Sequence, residues 1–241
     1  MASQEFKQRI NNALKNPVLR RALANFGEAY VGARERAYSG YDFEELSQEV
    51  ARIKGYAAEH MEEMAQQFTA AASARGAKVF RAETGEEANK YIMELAKQHG
   101  VKTIVKSKSM SSEEIHLNEK LRAMGCNVQE TDLGEWIIQL AHQRPSHMVM
   151  PAIHMNKEQV ADVFTDNLGE KNEPEIPKLV KTARKELRGE FLKAEMGLSG
   201  ANIAVAETGT LVVVTNEGNA RLTSTLPKVH VFLVGLEKLV S

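Results

Sequence analysis

From Lys78 to about Asp166 the chain alternates short β-rich runs with amphipathic helical stretches, and this alternation constrains its fold more than any other feature. KVFRA (78–82) precedes a helical pattern over 85–98, and TIVK (103–106) precedes one over 112–124. NVQET (127–131) is followed by a helical pattern over 133–142, and HMVMP (147–151) by one over 156–166. That order predicts parallel strands joined by crossover helices, because parallel neighbours cannot be linked by a tight hairpin. The stretch 133–142 is the clearest helix: Leu133, Trp136, Ile137, Leu140 and Ala141 form one apolar face, and Asp132 with Glu135 stands where a capping box would.

The flanks have a different texture. The first 77 residues contain no convincing strand; residues 3–36 read as helical pieces broken near Asn16-Pro17. From Phe43 to Arg75, Leu46, Val50, Ile53, Ala57, Met61, Met64 and Phe68 recur at helical spacing, with Asp42 and Glu45 placed for a capping box. Through Ala77 there are ten basic and ten acidic residues, so this is a helical extension for packing on the main domain or a partner chain, not a basic arm. Beyond the polar loop 167–177, a charged helix over 178–196 stops at Gly197. Two apolar runs then flank Glu207-Thr208-Gly209 as a hairpin, Asn216–Asn219 forms a second turn, and 229–234 is a last buried strand. The expected fold is α/β, with one mixed, largely parallel sheet and flanking helices over 78–241, preceded by a helical extension over 1–77.

Charge and cysteine content remove several functions. Thirty-one basic residues face thirty-two acidic ones, a net charge of -1, which lacks the footprint of a nucleic-acid binder. No apolar run is long enough to cross a bilayer, and MASQEFKQRINNALKNP has no secretory apolar core, so the expected location is the cytoplasm. Cys126 is the single cysteine, which excludes an internal disulfide and any four-cysteine zinc or iron–sulfur site in these residues. It reads as a small buried hydrophobe or as a reactive thiol. No G-x-G-x-x-G follows a strand, so no nicotinamide site is expected. His147 and His154, separated by roughly 23 Å of extended chain, cannot share one metal unless the chain turns back at Pro151.

Four segments carry residues suited to chemistry. After Val105 comes a Lys/Ser-rich loop in which Lys106, Lys108 and Ser109 offer charge and hydroxyl donors, with Ser111-x-x-Glu114 as a helix cap. In open α/β sheets, ligands sit at such carboxyl ends of strands, so a carboxylate or phosphate is the expected occupant; an ordinary solvated turn explains the same residues. Asp132 is a candidate acid/base group, as is His154 just past the HMVMP run. In AETGT, Glu207 could act as nucleophile or base, while Thr208, Gly209 and Thr210 give small polar groups and close backbone access. TNEGNAR supplies Asn216, Glu217, Asn219 and Arg221, the last able to clamp a carboxylate. A rigid sheet would gather such turns at one rim, so Lys106, Lys108, Glu207 and Asn216 or Arg221 are expected on one cleft with His154 nearby.

KSKSMSSEEIHLNEKL, ETDLGEWIIQLA, PSHMVMPAIH, GANIAVAETGTLVVVTNEGNARL and TLPKVHVFLVGLEK together resemble the lactate-utilisation (LUD) domain family, over roughly residues 45–241. The resemblance is strongest to the branch that serves as iron–sulfur subunit of a bacterial three-protein lactate-oxidising system. It implies a fold like that of sugar-phosphate isomerases and CoA transferases, and a part in oxidising L-lactate to pyruvate. It also implies 4Fe–4S clusters, here expected only in a C-terminal region that these residues lack or in partner subunits, with no cofactor in this chain. The partners implied are the other lactate-utilisation subunits and a small hydroxy or keto acid, with a homo-oligomer also open. Two other functions fit the same residues: a stand-alone enzyme of isomerase or CoA-transferase type using Glu207, and a non-catalytic assembly module.

Overall fold

The structure, a computed structural model, describes residues 4–215 and 217–241. Four helices come first: α1 Gln4–Lys15, α2 Pro17–Tyr38, α3 Phe43–Glu59 and α4 Met61–Ser73. Asn16 breaks the first two, its side chain accepting from the N–H groups of Val18 and Leu19 while Pro17 takes the first helical position. Asp42 does the same for α3, accepting from the N–H groups of Glu44 and Glu45. Next come α5 Gly85–Gln98, β1 Thr103–Lys106, α6 Met110–Glu114, α7 Leu117–Ala123 and β2 Asn127–Glu130. Three helices follow: α8 Leu133–Leu140, α9 Lys157–Leu168 and α10 Ile176–Lys193. The chain closes with β3 Met196–Ser199, β4 Ile203–Val205, β5 Thr210–Val212, α11 Asn219–Thr225, β6 Val229–Phe232 and β7 Leu239–Val240.

The chain divides into two units. The smaller takes the chain up to Leu46 together with Leu133–Ala183, and the larger takes Ser47–Asp132 with Arg184–Ser241. In the smaller unit, Trp136 of α8 meets Phe164 of α9 with ring centroids 5.0 Å apart, both rings buried. In the larger unit, four strands form an all-parallel sheet in the order β2-β1-β3-β6. Ile104, Val128, Met196 and Leu198 point from one face into a core completed by Ile92 and Ala96 of α5 and Leu117 and Leu121 of α7. Burial of each of these Ile, Val, Leu and Met side chains contributes about 1.5–3 kcal/mol, so this layer anchors the unit.

The class expected from the alternation, α/β with a parallel sheet and flanking helices, is what the chain adopts. Its details differ in several places, among them Met196–Ser199, a strand where the charged helix was expected to run to 196. The expected single mixed sheet is two: β4 and β5 form the antiparallel hairpin, but β4 pairs with β7 in a separate sheet, order β5-β4-β7. That sheet packs on α3 and α4 through Ala57, Met64, Ala65, Ala204 and Leu239. Residues 78–82 form no strand; Phe80 stacks on Tyr91 at 4.1 Å and Arg81 pairs with Glu62, local contacts that need no ladder. HMVMP is a loop, with the Ser146 N–H bonded to the Pro151 carbonyl and His147 Nδ1 accepting from the N–H groups of Val149 and Met150. The helix over 112–124 is split at His116, whose φ is 54°, and its first piece is capped by Ser109, not Ser111. Asn219–Thr225 is helical where a turn leading to more strand was expected.

Candidate functional site

Because the four strands of the main sheet run the same way, their carboxyl ends share one rim, the position where ligands bind in open α/β sheets. Most buried polar side chains of the larger unit collect there: Lys106, Ser107, Ser109, Glu130, Thr131, Ser199 and Thr223. Buried polar groups need partners, and the strand register explains how they find them.

Lys106 lies opposite Glu130 in the β1–β2 ladder, on the face that carries Ile104 and Val128. Its ammonium is fully buried and 2.9 Å from Glu130 Oε1, whose side chain is 7% exposed. Asn118 of α7 donates to the same oxygen at 2.8 Å. Glu113 of α6 stands in the field of this pair; desolvation raises its carboxyl above the usual range, with Lys106 pulling the other way.

On the opposite face, Gly197 lies beside His230 in the β3–β6 ladder, and the glycine is required there. A Cβ at 197 would sit 2.1 Å from the Thr223 carbonyl oxygen and 2.6 Å from His230 Nδ1, so its absence lets α11 settle on the sheet. The imidazole of His230 is then held at both ends. Nδ1–H donates to the Thr223 carbonyl (3.1 Å), and Ser199 Oγ–H donates to Nε2 (2.6 Å). The carbonyl can only accept, so the tautomer is fixed. Burial lowers its pKa to about 4, the Thr223 carbonyl opposing, which makes His230 a neutral imidazole at pH 7. Thr131 Oγ1 donates to the Lys106 carbonyl at 2.9 Å and lies 3.4 Å from Thr223 Oγ1. Asn219 donates to Thr131 at 3.4 Å and accepts from Thr215 at 3.1 Å. Ser109, which caps α6, abuts Gly200 at the end of β3. The rim thus offers hydroxyl, amide and imidazole groups in a connected network. Such groups suit the oxygens of a small acid better than an apolar ligand.

The residues singled out from sequence fall in four places. Lys106, Ser109 and Asn219 belong to this rim, with Lys108 half-buried in the same loop and Asp132 half-buried just past Thr131. Lys106 is neutralised by Glu130. Glu207, Thr208, Gly209 and Thr210 form the hairpin turn of the other sheet; Glu207 and Thr208 are exposed, and Thr208 donates to Thr210 at 2.8 Å. Gly209, at φ 65°, presses on α4, where a Cβ would lie 2.4 Å from the Ala72 nitrogen. Glu217 and Arg221 are exposed at the start of α11, and Asn216 lies outside the described residues. His154 belongs to the smaller unit: Nε2–H donates to Gln143 Oε1 at 2.6 Å and Nδ1 accepts from the Ser146 hydroxyl, with burial holding the pKa below its ordinary value. The bonds staple the 143–155 loop.

Sequence reasoning missed Ser199, His230, Thr131 and Thr223. A signal existed for His230: within VHVFLV it is the lone polar residue of an apolar run.

The chain belongs to the LUD-domain family, whose model matches residues 65–241. Among curated relatives, Lactate utilization protein B of Bacillus licheniformis is 41% identical over 242 residues, covering 100% of this chain and 51% of that protein. The Geobacillus protein of the same name is 44% identical over 237 residues, covering 98% and 50%, and that of Macrococcus caseolyticus 40% over 245 residues, covering 100% and 51%. The chain spans about half the length of the curated relatives it matches. No solved structure gives a significant match.

Proposed function

We propose that this chain is the LUD-domain part of a bacterial lactate-utilisation system that oxidises L-lactate to pyruvate in the cytoplasm. Electrons then leave through iron–sulfur centres carried elsewhere in the assembly. The residues present do not fit such a centre: Cys126 is the only cysteine, it is buried, and burial raises its thiol above the ordinary range. Among the described residues no group of three or more His, Cys, Asp or Glu stands close enough to hold a metal ion.

The chain's own share in this reading is to hold the small hydroxy or keto acid at the carboxyl rim of the parallel sheet. Lys108 meets the carboxylate, while Ser109 and Asn219 meet its oxygens. The sugar-phosphate isomerase and CoA-transferase-like architecture belongs to the same proposal, since those folds also bind ligands at a strand rim. The observation that carries it is the crowding of buried hydrogen-bonding side chains at that rim, in a chain similar along its whole length to proteins named for lactate utilisation. Thermal unfolding of the purified chain with L-lactate or pyruvate tests it. A ligand at a hundredfold excess over Kd stabilises by about 2.7 kcal/mol, a rise of about 5–10 °C in Tm. Lys108→Met and Asn219→Ala should abolish the rise while leaving the ligand-free Tm within about 2 °C. No shift with either acid refutes the ligand assignment. Failure of a strain deleted for this gene to lose growth on L-lactate refutes the system assignment.

A further inference from the structure

Ten of the large hydrophobic side chains left exposed among the described residues fall between Phe6 and Val50, a fifth of the chain. Neither α1 nor α2 buries a single residue. Helices gain most of their stability by burying an apolar face, so a 22-residue helix exposing Leu23, Tyr30 and Val31, next to a shorter one exposing Ile10 and Leu14, is built to be covered. The charges say by what. From Gln4 to Tyr38 there are seven basic residues and three acidic ones. The next segment, Tyr41–Val50, carries Asp42, Glu44, Glu45 and Glu49 with no basic residue, and it too exposes apolar side chains, among them Tyr41 (67%) and Val50 (50%).

We propose that this surface is a homodimer interface, in which the basic apolar face of α1 and α2 in one copy covers the acidic start of α3 in the other. A twofold axis makes the contact twice, since any patch-to-patch contact between unlike surfaces of two identical chains is repeated by the symmetry. Ten side chains at about half exposure carry on the order of 800 Å² of surface per copy, the share each partner contributes to a stable interface. The net charge of -1 hides the polarity because the two segments cancel.

Sedimentation of the full chain tests this. The expected mass at low salt is twice the 26.7 kDa of one chain. Raising salt from about 0.05 to about 0.5 M should weaken the dimer at least about tenfold. Arg20→Glu with Arg21→Glu should leave a folded monomer, as should Glu45→Arg with Glu49→Arg in a second protein. Mixing those two proteins restores opposite charges at both contacts, so a heterodimer should form where neither protein self-associates. Leu23→Gln, which alters no charge, should also weaken the dimer. A wild-type chain that stays monomeric at about 100 μM, far above the Kd of a standard interface, overturns the proposal. So does a dimer indifferent to the charge swaps, or a monomer whose basic helices instead bind vesicles containing phosphatidylglycerol.

Discussion

Replacing Lys106 by methionine isolates one interaction of the rim, because methionine keeps the length of the aliphatic stem and removes only the ammonium. The stem therefore leaves little cavity, and the cost falls on the carboxylate of Glu130, whose side chain is 7% exposed and which loses its counter-charge at 2.9 Å. Removing one member of a buried ion pair typically costs about 3–5 kcal/mol. Asn118 still donates to Glu130 Oε1 at 2.8 Å, and a hydrogen bond to a charged group retains part of the stabilisation. The expected loss is therefore at the lower end, about 3 kcal/mol. Lys106→Met combined with Glu130→Gln removes the stranded charge while Gln keeps an acceptor for Asn118, so the double variant should regain about 2 kcal/mol of that loss. Urea unfolding followed by far-UV circular dichroism, with slopes compared to confirm that the denatured states match, measures all three proteins. A single variant within about 1 kcal/mol of the parent, or a double variant no more stable than the single, would refute the assignment of Lys106 as the buried partner of Glu130.

Acid should weaken the fold through His230. Its folded pKa of about 4 lies below the ordinary 6.5, so the unfolded chain takes up a proton first. Stability is full above the unfolded value and falls as pH drops through this window, by at most about 3 kcal/mol given partial solvent screening. Urea midpoints measured from pH 7 to 4 should slope less steeply in His230→Phe than in the parent. Gly197→Ala would drive a Cβ to 2.1 Å from the Thr223 carbonyl and should cost about 2–3 kcal/mol, whereas Gly189→Ala, with nothing within 4 Å in α10, should stabilise by up to about 1 kcal/mol. Ellman's reagent should leave Cys126 unmodified in the native chain and titrate one thiol in urea, since burial both shields the thiol and raises its pKa.

The alternation of strand and helix was legible wherever periodicity is strong. TIVK and NVQE stand as β1 and β2, and the pattern over 85–98 is α5 to the residue. It failed where tertiary contacts decide. MGLS has no β-branched residue and follows a highly charged helix, yet it is the third strand of the parallel sheet, buried along its whole length. Its strand character comes from being sandwiched between β1 and β6 and from the space that Gly197 leaves for α11, neither of which a local window contains. HMVMP errs the other way: its apolar run has strand composition, but His147 and His154 satisfy local donors and acceptors and hold it in a loop. For the site, the position of Lys106 at a strand end was readable, whereas its partner was not, because pairing with Glu130 depends on strand register.

The order in which the strands are made has consequences for how the chain reaches this state. β1 has two neighbours, one made some twenty residues later and the other some ninety residues later, after the whole of Leu133–Ala183 has been added. During synthesis, β1 and β2 emerge with the second edge of β1, its backbone N–H and C=O groups, unpaired until β3 is made. Closing that edge requires a long loop to be formed before β3 rewards it, which slows folding and exposes a strand edge to other nascent chains. Fragments ending before Met196 should therefore aggregate at the ribosome, while release of protection should track completion of β3 and then β6. For this fold, β3 and β6 govern solubility more than the segments made before them.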